Sequence, residues 1–122
     1  MEFEKLFRKT LTNIEVVGAE EIYFTTTEGK KYKMYHSQDC CEGVYIEDIC
    51  GDIEDLIGQP LIIAREATSQ DFKGRKKDYD SVTWTFYHLA TAKGYVTIRW
   101  NGSSNGYYSE GVNFRLAEEG EG

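Results

Sequence analysis

Apolar and polar residues alternate with a period of two along most of this chain, the rhythm of strands with one face buried. Glu21 to Thr27 places Ile22 and Phe24 on one side, with Tyr23 and Thr25 on the other. Glu28-Gly29-Lys30 signals a turn, and Lys31 to Tyr35 resumes the alternation, which predicts a hairpin. Val44 to Ile49 alternates again. Ser81 to Ala90 is the longest such run: Val82, Trp84, Phe86, His88 and Ala90 share one face, and Thr83, Thr85, Tyr87 and Leu89 the other. Thr91-Ala92-Lys93-Gly94 is a four-residue hairpin connection to Tyr95–Trp100, and Tyr107 to Arg115 reads as the last strand. Ile14–Val17 and Leu61–Ala67 are short apolar runs, the second typical of a buried strand.

The rhythm breaks in a few places. Phe3, Leu6 and Phe7 fall at i, i+3 and i+4, which predicts a short amphipathic helix over residues 2 to 9, packed on a sheet. Asp52 to Gly58 reads as one helical turn, with Asp52 as cap and Gly58 closing it. Residues 68 to 80 show no apolar period and read as the longest loop, carrying Lys73, Arg75, Lys76 and Lys77. Asn101 to Gly106 holds two Asn-Gly pairs and reads as a loop. The fold class expected is mainly β with minor helix: an antiparallel β-sandwich or curled half-barrel with a short N-terminal helix. One β-rich domain is expected over residues 1–116, followed by an acidic flexible tail over 117–122.

Composition supports a packed core. The chain has 122 residues with nine Tyr, six Phe and two Trp, and aromatic rings carry large apolar area. No apolar run is long enough for a transmembrane helix. Met1 to Lys9 carry Glu2 and Glu4 and no apolar segment, so no export signal is expected and the cytoplasm is the expected compartment. The formal charge of −7 opposes duplex nucleic acid as a partner and suits a basic protein surface. Three cysteines cannot all pair within one chain, and a Cys40–Cys41 bridge between neighbours strains the usual geometry, so reduced thiols are expected.

Reactive groups concentrate at His36-Ser37-Gln38-Asp39-Cys40-Cys41-Glu42, which holds one of two histidines and two of three cysteines. A metal site is the first reading to weigh. Zinc sites favour thiolates two to four residues apart, whereas these two are adjacent, and CxxC and HExxH are both absent. A cysteine nucleophile is the second, with His36 or His88 as base. Asp39 and Glu42 flank the thiols and would weaken a thiolate. The plainer reading is a polar turn with a thiol packed behind it. Glu47-Asp48 and the Asp52, Glu54, Asp55 group read as a solvated acidic face rather than a cation site. No metal, cofactor or catalytic residue is therefore expected.

The strings Tyr35–Glu42, Ile46-Glu47-Asp48-Ile49-Cys50-Gly51-Asp52, Thr83-Trp84-Thr85-Phe86-Tyr87, and Ile98-Arg99-Trp100 through Ser104-Asn105-Gly106-Tyr107-Tyr108-Ser109-Glu110 carry a resemblance. Together they resemble a family of short proteins from bacteriophages, prophages and their bacterial hosts, classed as a domain of unknown function. The likeness runs over roughly residues 10 to 115, and Lys73 to Asp80 is longer than the family pattern. The resemblance implies a phage-like accessory protein. Such proteins act on host components, including by sequestering the nucleotide signals of antiviral defence.

Binding is thus expected rather than catalysis. Aromatic faces stack bases, and Arg with backbone N–H groups in a Gly/Ser/Asn loop holds phosphates. The candidate set for a small nucleotide-like ligand is Trp84, Tyr87, Arg99, Trp100, Asn105, Tyr107 and Tyr108, with His36, Asp39 and Glu42 as polar contacts. The same rings could instead simply fill a core, since aromatics are enriched in strands. The alternative function is an acidic inhibitor of a host protein, and homo-oligomer formation fits either.

Overall fold

Two four-stranded antiparallel sheets face each other across one core. The structure, a computed structural model, describes residues 3–38, 41–73, 80–104 and 109–117, with side chains over the same residues except 70–73 and 80. The strands are β1 (Leu11–Val17), β2 (Glu21–Thr26), β3 (Lys31–Tyr35), β4 (Gly43–Cys50), β5 (Ile63–Lys73), β6 (Asp80–Thr91), β7 (Gly94–Ser104) and β8 (Asn113–Leu116). The first sheet runs β1-β2-β3-β8 and the second β4-β7-β6-β5. Of the two architectures expected from the sequence, the sandwich is the one found.

The alternation translates directly into burial. Ile22, Phe24, Tyr32 and Met34 from the first sheet meet Tyr87, Leu89, Val96, Ile98 and Trp100 from the second. Phe3 sits in the middle, its ring centroid 4.6 Å from Tyr87, 5.3 Å from Phe114 and 6.4 Å from Phe24. The Trp100 indole N–H donates to Met34 Sδ at 3.3 Å, so a fully buried ring keeps a partner across the sheets. The Tyr87 hydroxyl donates to Glu66 at 2.6 Å. Burial first, and that carboxylate second, push its phenol far above the usual tyrosine range.

Several expectations are corrected. The N-terminal element is a four-residue 3₁₀ turn, Phe3–Leu6, not a helix over residues 2 to 9. That one turn suffices to bury Phe3 and Leu6, and Arg8, at φ 72°, then bends the chain so that its N–H bonds to Leu61 O. Phe7 is consequently exposed rather than in the core. The Asp52 turn is also 3₁₀ (Ile53–Leu56), with the Asp52 side chain capping Glu54 N as the sequence indicates.

The largest correction concerns residues 68 to 80. Residues 68 to 73 continue β5, and Asp80 already belongs to β6, in an unbroken ladder from Ile63↔Ala90 to Lys73↔Asp80. Likewise Asn101 to Ser104 extend β7, with Ser104 opposite Ser81. Apolar period reports burial, whereas pairing needs only backbone groups, so polar strand ends escape a hydrophobicity reading. The last strand is correspondingly shorter, Asn113–Leu116. Residues 74–79, and the tail over 118–122, lie outside the described residues.

The topology has one consequence for chemistry. Among the described strands, two connections carry the chain from one sheet to the other: β3 to β4, and β7 to β8. Tyr35 at the end of β3 pairs with Asn113 at the start of β8, and Gly43 at the start of β4 pairs with Ser103 near the end of β7. Both crossings therefore lie at the same end of the sandwich, and both contain the polar strings singled out in the sequence.

Candidate functional site

At this end, His36 leaves β3 and Glu42 enters β4, and their side chains meet: Nε2 lies 2.7 Å from the Glu42 carboxylate. Both side chains are almost fully buried, at 4% and 0% exposed. The other ring nitrogen, Nδ1, lies 2.7 Å from the Gly111 carbonyl oxygen on the second crossing. A carbonyl can only accept, so Nδ1 carries a hydrogen and donates. The Nε2–carboxylate contact then also needs a proton between its two atoms. The Gln38 amide donates to Glu42 O at 2.7 Å, and Ser37 N–H to Asn113 Oδ1 at 2.9 Å. The first crossing is thus tied to itself and to the second.

The second crossing is anchored in its turn by Glu110. Its buried carboxylate accepts hydrogen bonds from Ser81 (3.2 Å), Thr83 (2.7 Å) and Ser104. Thr83 and Ser81 occupy the inward-facing positions of β6 at the end where apolar side chains run out. Gly102 on β7 is what lets this segment lie so close: a Cβ there would stand 2.5 Å from Glu110 O and 2.9 Å from its Cβ. From Glu110, bound to the second sheet, one step along the chain reaches Gly111, bound to His36.

Beside this lattice opens a cleft of about 340 Å³, lined by Glu20, Glu21, Tyr35, His36, Gln38 and Val44. Its walls differ in how free they are. Glu21 accepts from Tyr23 at 3.1 Å and pairs with Lys33 at 3.5 Å. The Tyr35 hydroxyl accepts from Arg115 Nε at 3.1 Å, while Lys33 and Arg115 sit 4.6 and 5.1 Å from its ring centre. A shallower hollow of about 260 Å³ at the other end is lined by Phe7 to Thr10, Thr27 and Glu28, with Lys9 and Glu28 paired across it at 3.1 Å.

The structure divides the candidate ligand residues. Trp84 and Arg99 come together on the outward face of the second sheet, the guanidinium 5.6 Å from the indole centre. Arg99 is already paired: Glu47 accepts its Nε at 2.7 Å, and Asp48 lies 3.7 Å away. The Glu47 bond raises its pKa above the ordinary arginine value. Tyr87 and Trp100 point the opposite way and are 0% exposed, so neither shares a surface with Trp84. His36 and Glu42 form the pair described above. Asp39, Asn105, Tyr107 and Tyr108 lie outside the described residues.

One cysteine departs from expectation: Cys41 is disulfide-bonded, not reduced. Cys50 is a free, exposed thiol that donates to Asp48 at 3.4 Å. That hydrogen bond, and then the Asp48 charge, push its pKa up and make it a poor nucleophile. Among the described residues, no group of three or more His, Cys, Asp or Glu stands close enough to hold a metal ion. None of their helices is long and apolar enough to cross a membrane.

Sequence reasoning missed Glu110, although it closes a string already singled out. It also missed Tyr35, Gln38, Glu20 and Glu21 as cleft walls. Parity alone separates Trp84 from Tyr87, since neighbours on a strand face opposite ways. A family model described as a domain of unknown function, DUF7448, matches residues 4–114. The chain belongs to this family. The match takes in both crossings, both buried carboxylates and every wall of the cleft. No curated protein and no solved structure matches the chain.

Proposed function

We propose that the protein acts by binding, and that a small nucleotide-like ligand enters the cleft beside His36. The observation that supports this reading is a concave site of about 340 Å³ beside the first crossing, whose His36 wall is tied to the second crossing through Gly111 O. That volume lies at the lower end of the range of small-molecule pockets, roughly 300–1,000 Å³. Glu20 and Glu21 at its wall offer acceptors, so they favour the amino and hydroxyl groups of a base and sugar. They repel phosphate, which then points to solvent rather than into the cleft. Val44 supplies apolar surface, and the His36–Glu42 pair holds the wall in place. In a phage-like setting in the host cytoplasm, such a protein would withdraw a nucleotide signal of host defence.

The experiment is to incubate the purified protein with a nucleotide pool, wash it, and analyse the bound fraction before and after heat denaturation. Intact ligand released on denaturation supports sequestration, and altered ligand supports catalysis instead. Glu20→Gln should change which compounds are retained while leaving the fold intact. Retention of nothing from any pool sinks the ligand reading. It would favour the second reading, an acidic inhibitor of a host protein, which the charge of −7 and the exposed rings of the second sheet support.

A further inference from the structure

The outward side of the β4-β7-β6-β5 sheet carries a row of rings. Trp84, Phe86 and His88 follow one another along β6, with Tyr95 beside them on β7 and Tyr45 on β4. Phe86 and His88 stack at 6.3 Å and 14°, and His88 and Tyr95 lie 6.0 Å apart. Tyr45 and Tyr95 are 43% and 48% exposed. Aromatic side chains contiguous on one flat face, rather than scattered, mark an interaction surface.

The charges flanking this row are arranged unequally. On edge strand β5 the outward positions with described side chains are Ile63, Arg65, Ala67 and Ser69, one cation and no carboxylate among them, because Glu66 turns inward to Tyr87. On the opposite edge strand, β4, Glu47 and Asp48 stand with Arg99 between them, one negative charge in excess. Register then aligns the two edges. Cys50, Thr97, His88 and Arg65 lie in a single row across the sheet. The Cys50 thiol holds the Asp48 carboxylate at 3.4 Å, toward that same row. The row therefore has a cation at its β5 end and, at its β4 end, a thiol that holds the carboxylate of the neighbouring Asp48-Arg99-Phe86-Ala67 row.

We propose that this face is a homodimer interface, in which two copies stack their β4-β7-β6-β5 sheets about a two-fold axis running along the strands between β6 and β7. A half-turn about that axis exchanges the two edges, so each copy's Arg65 lies over the other's Cys50, beside the Asp48 carboxylate which that thiol holds, twice in the dimer. The rings of β6 and β7 meet in the centre, where Phe86 of one copy faces Arg99 of the other. A half-turn about an axis across the strands instead lays β4 on β4 and β5 on β5, so charges of like sign share an edge, which like-charge repulsion disfavours. The net charge of −7 opposes self-association in general, so only a contact that pairs opposite charges locally fits a second copy of this chain.

The test is sedimentation velocity of the full chain across the micromolar range, with Arg65→Glu and Asp48→Lys as variants. The wild type should be a dimer. Each variant alone should dissociate about tenfold more readily, because each reversal acts at two symmetric contacts. An equimolar mixture of the two variants should recover the dimer, since both contacts are again opposite in sign. Both positions are exposed, and the recovery itself shows that each variant is folded. A wild type that stays monomeric overturns the proposal and leaves the face to another protein. A dimer indifferent to both variants also overturns it and points to an edge strand. Failure of the mixture to recover rejects the two-fold arrangement.

Discussion

Two carboxylates are buried at the same end of this sandwich and are held in opposite ways. Glu42, 4% exposed, faces the imidazole of His36; Glu110, 7% exposed, faces the hydroxyls of Ser81, Thr83 and Ser104. The first is met by one partner that can carry a charge, the second by several neutral dipoles. A charged pair concentrates its stabilisation in one contact, so removing one side leaves the other charge buried. A cradle of hydroxyls spreads it, so each donor is worth only its own bond. Both solutions serve the same end, fixing a chain segment that crosses between sheets.

The sharpest way to break the comparison is His36→Ala. The Glu42 carboxylate would stay buried without the imidazole, and such losses cost about 3–5 kcal/mol. Urea unfolding should show the fall in midpoint, and the Glu42→Gln background should remove much of it. A loss of about 1 kcal/mol or less would mean that Glu42 relaxes to water, and the contrast with Glu110 would collapse. Because Gly111 O loses its donor as well, hydrogen exchange at residues 109–113 should quicken in the same variant.

Next in size is the other carboxylate. Glu110→Gln keeps the shape but turns charge-assisted acceptors into one amide, with a cost of about 2 kcal/mol expected. Gly102→Ala attacks the same segment sterically, since its new Cβ meets Glu110 backbone rather than a flexible tip. About 1–3 kcal/mol is expected from it. The two changes act on one contact, so the double variant should lose less than the sum of both. Strict additivity would show that Glu110 does not hold its segment against β7. Smaller again is Thr83→Val, which deletes a single neutral donor at 2.7 Å and should cost about 1 kcal/mol.

These contacts also mark how far the sequence can be read. The strands with one buried face were legible: Ile22, Phe24, Met34, Leu89, Val96 and Ile98 alternate in sequence and are core in the structure. The 3₁₀ form of the Phe3 segment was not, since Phe3 and Leu6 three apart satisfy either helix type. The polar ends of β5, β6 and β7 were not, because the ladder there pairs backbone groups of polar residues such as Ser69 and Ser104 and leaves no apolar period. At the site, the His36–Glu42 cluster stood out by composition, yet its partner Gly111 O is a backbone atom seventy-five positions away and leaves no mark in side-chain type. Glu110 looked like one more acid among twenty-one, and only the fold brings Ser81 and Thr83 to it.

The second histidine sharpens the contrast with the smallest expected effect. His36 is placed between two acceptors, whereas His88 lies on the outer face with Nδ1 2.8 Å from the Tyr95 hydroxyl and 3.4 Å from the Thr97 hydroxyl. Both hydroxyls can donate, which suits a neutral ring. Burial first, and then the Arg65 charge, lower the His88 pKa below its usual 6.5. In the pH range just below 6.5 the unfolded chain therefore binds more protons at this position than the folded one. Stability from His88 is fully present above that pH and is lost as pH falls through the lowered folded value. Urea midpoints measured from neutral to mildly acid pH should thus fall more steeply for wild type than for His88→Asn. The gap between them should be small, because the ring is largely solvated and its surroundings are screened. Equal slopes would mean that His88 titrates alike in both states. A wild-type slope that instead flattens in acid would mean that the His88 ring gains an acceptor when charged, and its two hydroxyl neighbours would then not be acting as donors.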